Sequence, residues 1–170
     1  MKRLSLVIIM AVTIMSCSAQ NEEFNNLKNQ VEMEKTQLEK NKEIALNLSK
    51  AIMNGEWNKV DELIAEDFTY EADGRPAIGK QEYIGFMKNV LSNAFSDMDM
   101  KFLRVIAEEN LVAIDYTNEM TNTGDFMGMP ATNKRVLATG QFIREIKDGK
   151  ITAEWQTTNS AGLIQQLTAK

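Results

Sequence analysis

The sequence predicts an α+β domain in which a curved antiparallel sheet carries helices packed on one face. Two observations lead there. Apolar residues recur at helical intervals from Asn41 to about Asn93, and the period then changes to two from Met98 to Asn159. Size agrees, because 170 residues with 44% apolar and 25% charged side chains hold one globular domain and little else.

An N-terminal segment precedes that domain. Lys2 and Arg3 introduce an apolar run from Leu4 to Met15, broken only by Ser5 and Thr13, that ends in Ile14-Met15-Ser16-Cys17. A basic start, a short apolar run and a small residue before the cut mark a secretory signal, and the run is short for a permanent bilayer span. Ile-Met-Ser-Cys resembles the bacterial lipobox. The resemblance implies that residues 1–16 are a lipoprotein signal peptide and that Cys17, acylated on sulfur and amine, anchors the protein in the cell envelope, outside the cytoplasm. Each buried acyl methylene adds about 0.8 kcal/mol, so two or three chains hold firmly. Loss of Lys2 and Arg3 with the leader leaves 17 basic and 24 acidic residues, a charge of −7. Residues 17–40 then read as the lipidated Cys and a solvated helical spacer, with Phe24, Leu27, Val31 and Leu38 along one stripe.

The folded domain is expected over 41–170. Ile44, Ala45, Leu48, Ala51 and Ile52 make a first helix stopped by Asn54-Gly55, and Trp57, Val60, Leu63 and Ile64 a second. Phe68 to Tyr70 reads as a brief strand and Asp73-Gly74-Arg75-Pro76 as a turn. Tyr83, Ile84, Met87, Val90 and Leu91 mark a third helix. Strands follow at Met98–Glu108, Leu111–Thr123, Lys134–Lys147 and Ile151–Asn159, the last two joined by Asp148-Gly149 in a type I′ turn. Ser160 is expected to cap a closing helix carrying Leu163, Ile164 and Leu167. A long sheet covered by helices on one face tends to wrap into a half-open cone, and such concavities hold small ligands.

Composition excludes whole classes of chemistry. The chain has no His, so a His base, a Ser-His-Asp triad and a His-ligated metal are ruled out. A single Cys forbids an internal disulfide. A net charge of −5 offers no footprint for nucleic acid. No cofactor and no metal are expected, and the eleven Met residues read mainly as core filling.

The run Thr123-Gly-Asp-Phe-Met-Gly-Met-Pro-Ala-Thr-Asn-Lys-Arg-Val136, then Arg144, Asp148-Gly-Lys-Ile151, Glu154-Trp155 and Gly162-Leu-Ile-Gln-Gln-Leu167 resembles the SnoaL-like polyketide cyclase or ester cyclase family. The resemblance implies the cone-shaped fold of nuclear transport factor 2 over Asn41 to Leu167. It also implies proton transfer by an Asp four residues after the Trp of the last strand, facing His side chains. Those positions here are Asn159, Asn122 and Glu71. An amide has no titratable proton near neutrality and cannot act as a general acid or base.

Strand parity directs Trp155 and Asn159 inward with Ile151 and Ala153, and Tyr116, Asn118, Met120 and Asn122 inward with Val112 and Ile114. With Phe142, these make the expected ligand pocket: Tyr116, Asn118, Met120, Asn122, Phe142, Trp155 and Asn159. The same parity sends Asp115, Glu119 and Glu154 toward solvent, leaves Glu71 and Tyr116 as the candidate catalytic groups, and lets Arg144 pair with a carboxylate such as Glu71 inside the sheet. Three readings follow. The first is an envelope-anchored domain that binds a small apolar molecule without turning it over. The second is a cyclase or isomerase with a proton relay rebuilt around Glu71 or Tyr116. The third is an interaction module that forms a homodimer through the open sheet face.

Overall fold

The computed structural model describes residues 2–169, with side chains described at 21–90 and 93–169. The chain divides into two compact units, 1–37 and 38–170. The expected signal peptide 1–16 and lipidated Cys17 lie outside the residues whose side chains are described. In the first unit, Phe24, Leu27, Val31 and Met33 of α1 (Lys2–Met53) are all exposed. Among the described residues no helix is long and apolar enough to cross a membrane.

In the second unit, α1 buries Ala45, Leu48, Ala51 and Ile52, one face at helical spacing, and stops at Gly55 with φ +68°. Then come α2 (Trp57–Leu63), β1 (Ile64–Ala72), β2 (Ile78–Gly79), α3 (Lys80–Met87) and a π-helical turn at Lys88–Ser92. The long strands β3 (Phe95–Glu108), β4 (Leu111–Asn122), β5 (Arg135–Lys147) and β6 (Lys150–Thr158) precede α4 (Ser160–Thr168). Ile64, expected to end a helix, instead opens β1, which is longer than the expected Phe68–Tyr70. The Asp148-Gly149 turn has φ of +50° and +76°, the two left-handed residues a type I′ hairpin needs.

The strands form one curved, unclosed sheet in the order β2-β1-β6-β5-β4-β3. It is mixed where an all-antiparallel sheet was expected, since β1 runs parallel to β6. A parallel pair needs a long crossover, and here β3, β4 and β5 supply it. The inward face of the sheet holds Phe68, Tyr70, Val112, Ile114, Phe142 and Ile151, all buried against the helices. Tyr83 of α3 lies 5.0 Å from both Phe68 and Tyr70, ring centre to ring centre. A second apolar cluster joins α4 to the sheet through Leu163, Leu167, Val136, Ala138, Phe95 and Met120.

One irregularity decides which residues face inward. Ile146 pairs with Ile151, but Glu145 pairs with Ala153, so Thr152 is an extra residue in β6. The bulge shifts the alternation of side chains by one position beyond it. Glu154, expected in solvent, is therefore 2% exposed and stands directly opposite Arg144. Arg144 Nε donates to Glu154 Oε2 at 2.6 Å, and Nη1 donates to Ser49 Oγ at 2.8 Å and to the Ala45 carbonyl of α1. The guanidinium also lies 4.2 Å from the centre of the Phe142 ring. Arg144 thus has a carboxylate partner inside the sheet, and it is Glu154; Glu71 lies on the outer face. Thr152 Oγ1 donates to Glu145 Oε2 at 2.8 Å and occupies the outer side of the bulge.

Glu154→Gln leaves a buried guanidinium without its countercharge and is expected to cost about 3–5 kcal/mol in urea denaturation, whereas the double change Arg144→Met with Glu154→Leu recovers most of that loss.

Candidate functional site

Past the bulge, Gln156 and Thr158 of β6 face inward and Trp155 faces outward. With Tyr70 and Ala72 of β1 they line a cavity of about 160 Å³ between the sheet, α3 and α4. Its walls are apolar: Phe86, Met87, Val90, Phe95, Met120 and Leu163. Val90 reaches the cavity from the π-helical turn, and Phe126 closes one side by stacking edge-on against Phe95 at 5.0 Å. Asp73 and Arg75 stand at the mouth.

The polar groups form one connected network. Tyr70 Oη donates to Gln156 Oε1 at 2.7 Å. Gln156 Nε2 donates to Tyr116 Oη at 2.9 Å and to Thr158 Oγ1 at 3.2 Å, and the last two hydroxyls lie 3.2 Å apart. Tyr116 reaches β6 from β4 only because the intervening residue of β5, its register partner, is Gly140. A Cβ at Gly140 would come within 2.8 Å of Tyr116 Oη and 2.5 Å of the Thr157 carbonyl oxygen.

Burial holds the phenols neutral. It pushes the Tyr70 hydroxyl well above its usual range, with the Glu154 charge adding to the effect. Tyr83 is raised for the same two reasons. Tyr116 is raised by burial against the opposing pull of its hydrogen bonds to Thr158 and Gln156.

The expected pocket residues separate into distinct roles. Met120 lines the cavity, while Tyr116 and Asn118 are buried on the same face of β4. Asn118 Nδ2 lies 3.9 Å from the Met120 sulfur, and its Oδ1 has no partner among the described residues. Phe142 sits deeper, against Tyr116 at 5.5 Å. Asn122 proves to be a clasp with no capacity left for a ligand. Its Nδ2 donates to the Ala94 and Gly124 carbonyls, and its Oδ1 accepts from Thr132 N and Thr132 Oγ1, closing the loop between β4 and β5.

Trp155, Asn159 and Glu71 do not enter the cavity. The bulge turns Trp155 to the outer face, where it is 40% exposed. Asn159 is exposed and caps α4, accepting from Gly162 N at 3.0 Å in the role expected of Ser160. Glu71 is exposed on the outer face beside Trp155, its register partner. Parity reasoning missed Tyr70, Gln156 and Thr158, and also the mouth residues Asp73 and Arg75. The isolated Gly140 inside a strand was the available signal for a close approach. Among the described residues no cluster of His, Cys, Asp and Glu is placed to hold a metal.

The sequence profile of SnoaL-like polyketide cyclases matches residues 42–167. The chain belongs to that family. No curated protein matches it. Among solved structures, a candidate SnoaL-like polyketide cyclase from Jannaschia sp. CCS1 superposes with a TM-score of 0.72 at 18% identity, covering 78% of this chain and 94% of that one. IdmH, a candidate polyketide cyclase from Streptomyces antibioticus, gives 0.65 at 22% identity over 75% and 97% of the two chains. An epoxide hydrolase from M. tuberculosis gives 0.62 at 17% identity over 77% and 91%. At these identities the likeness establishes the nuclear transport factor 2-like fold, which the SnoaL-like family shares.

All three tyrosines of the chain are among the buried phenols. The unfolded chain ionises them near pH 10, so the folded state is favoured below that value and loses stability as the pH rises above it. Absorbance at 295 nm is expected to show no tyrosinate in the native protein at about pH 10, followed by a single cooperative rise as the fold opens.

Proposed function

We propose that this SnoaL-like domain binds a small, largely apolar molecule carrying one hydrogen-bond acceptor, and does so without the acid–base chemistry of ring closure. The observation that carries the reading is the neutral polar network on an otherwise apolar cavity. The Tyr70 hydrogen is taken by Gln156, and both Gln156 Nε2 hydrogens are taken by Tyr116 and Thr158. The Tyr116 to Thr158 contact uses one of those two hydroxyl hydrogens. One donor hydrogen remains, and Thr158 is the member of that pair that lines the cavity. A ketone, ester or ether oxygen suits it.

Among the described residues, Glu154 is the one buried carboxylate, and it is held by Arg144. Proton abstraction would draw on Asp73, whose carboxylate accepts from Thr158 N at 3.2 Å. That geometry favours an enzyme reading centred on Asp73 over one centred on Glu71.

The lipobox-like Ile14-Met15-Ser16-Cys17 supports tethering of the domain in the cell envelope. Growth with labelled palmitate is expected to label the protein and leave Cys17→Ser unlabelled; an unlabelled wild type removes the anchor from the proposal.

The binding claim is checked by calorimetric titration of the purified protein with long-chain methyl ketones and the matched alkanes. The ketone is expected to bind about tenfold more tightly, as one hydrogen bond of about 1.4 kcal/mol implies. Thr158→Val is expected to abolish that preference, and Gly140→Ala, which displaces Tyr116, to weaken it. Turnover of polyketide-like or ketosteroid-like substrates that disappears in Asp73→Asn would replace binding by catalysis.

A further inference from the structure

The bulge that brings Gln156 inside also places an indole outside. Trp155 sits on the outer face between Glu71 of β1 and Ile143 of β5, its register partners on either side. Two residues along, Thr157 faces outward beside its partner Gln141. These five side chains and Arg75 border a shallow recess of about 320 Å³.

Several charges along the strands are held in ion pairs. Arg104 is paired with Asp115, Arg135 with Glu119 and Lys147 with Glu145. Glu71 and Arg75, in contrast, make no ion pair among the described residues, although both border the recess. The recess therefore combines an exposed aromatic plane with an uncommitted carboxylate, a guanidinium, an amide and a hydroxyl.

We propose that this outer recess binds a pyranose sugar stacked on Trp155. A pyranose offers one face of C–H groups and an edge of hydroxyls. The C–H face gains dispersion and electrostatic attraction from the indole π-surface. The hydroxyl edge needs donors and acceptors together, and adjacent hydroxyls match the two oxygens of Glu71 or the forked N–H groups of Arg75. Strand spacing of about 4.8 Å puts Glu71 one strand from the indole and Gln141 with Thr157 within the next pair, so one ring can meet all of them. A flat apolar partner fits less well, because it would take both charges out of water without pairing them. Asp73, Arg75 and Gln156 border both this recess and the inner cavity, whereas Trp155, Glu71, Gln141 and Thr157 border the recess and not the cavity.

The test uses the full chain purified in a zwitterionic detergent, which carries no sugar headgroup. Saturation-transfer NMR is run with methyl β-D-glucopyranoside, methyl β-D-galactopyranoside and cellobiose at millimolar concentration. At least one is expected to receive saturation at its ring C–H protons, and Trp155→Ala is expected to reduce it at least tenfold. Glu71→Ala and Gln141→Ala, both exposed positions, are expected to weaken it severalfold and keep the test valid if the Trp155 variant folds poorly. Leu103→Ala, an outward apolar change on β3, is expected to leave it unchanged. The proposal is overturned if none of the sugars receives saturation, if transfer survives in Trp155→Ala, or if Leu103→Ala lowers it equally. Burial of Trp155 in a stable self-associated form, detected by loss of quenching by acrylamide on association, also overturns it.

Discussion

The structure depends on the buried pair between Arg144 and Glu154. Taking both charges out of water is costly, and the cost is offset only because every strong partner is present: the carboxylate, the Ser49 hydroxyl, the Ala45 carbonyl and the Phe142 ring. Those partners come from α1, β5 and β6, so the pair joins helix to sheet. It also requires residue 154 to face inward, which β6 can achieve only with the extra residue Thr152. Packing energy, strand register and the identity of the two faces are thereby linked at one point.

The consequences run along β6. Without the bulge, the residue opposite Phe142 would be Trp155, and the cone would be filled by indole. With it, Gln156 takes that place and Thr158 lies opposite Gly140, where the Tyr116 hydroxyl arrives from β4. A neutral network on an apolar cavity and an aromatic recess on the outer face are two results of the same single-residue insertion. The family resemblance accounts for the cone, while the local register accounts for the chemistry that the cone presents.

Much of this was legible in the amino-acid order. The change from helical to alternating period located the helices and the four long strands, and Asp148-Gly149 located the hairpin between the last two. Asn122 and Asn159, which the sequence placed in a ligand pocket, do structural work as a loop clasp and a helix cap. What stayed hidden was the bulge. Alternation assumes an unbroken ladder, and no residue type near Thr152 announces an insertion whose cause, the match of Arg144 to Glu154, lies across the sheet. One slipped position was enough to exchange Trp155 for Gln156 and to send Glu154 inward. The parallel pairing of β1 with β6 was equally out of reach, because short-range pattern carries no information on which distant strand a segment joins.

The facing of β6 can be read directly in solution. With Cys17 replaced by Ala the chain has no other Cys, so single cysteines at 155, 156, 157 and 158 report one position each. A polymer-linked maleimide too bulky for the cavity is expected to label Trp155→Cys and Thr157→Cys rapidly and Gln156→Cys and Thr158→Cys slowly. The opposite alternation, with 156 and 158 labelled and 155 and 157 protected, would contradict the bulge and the placement of both sites.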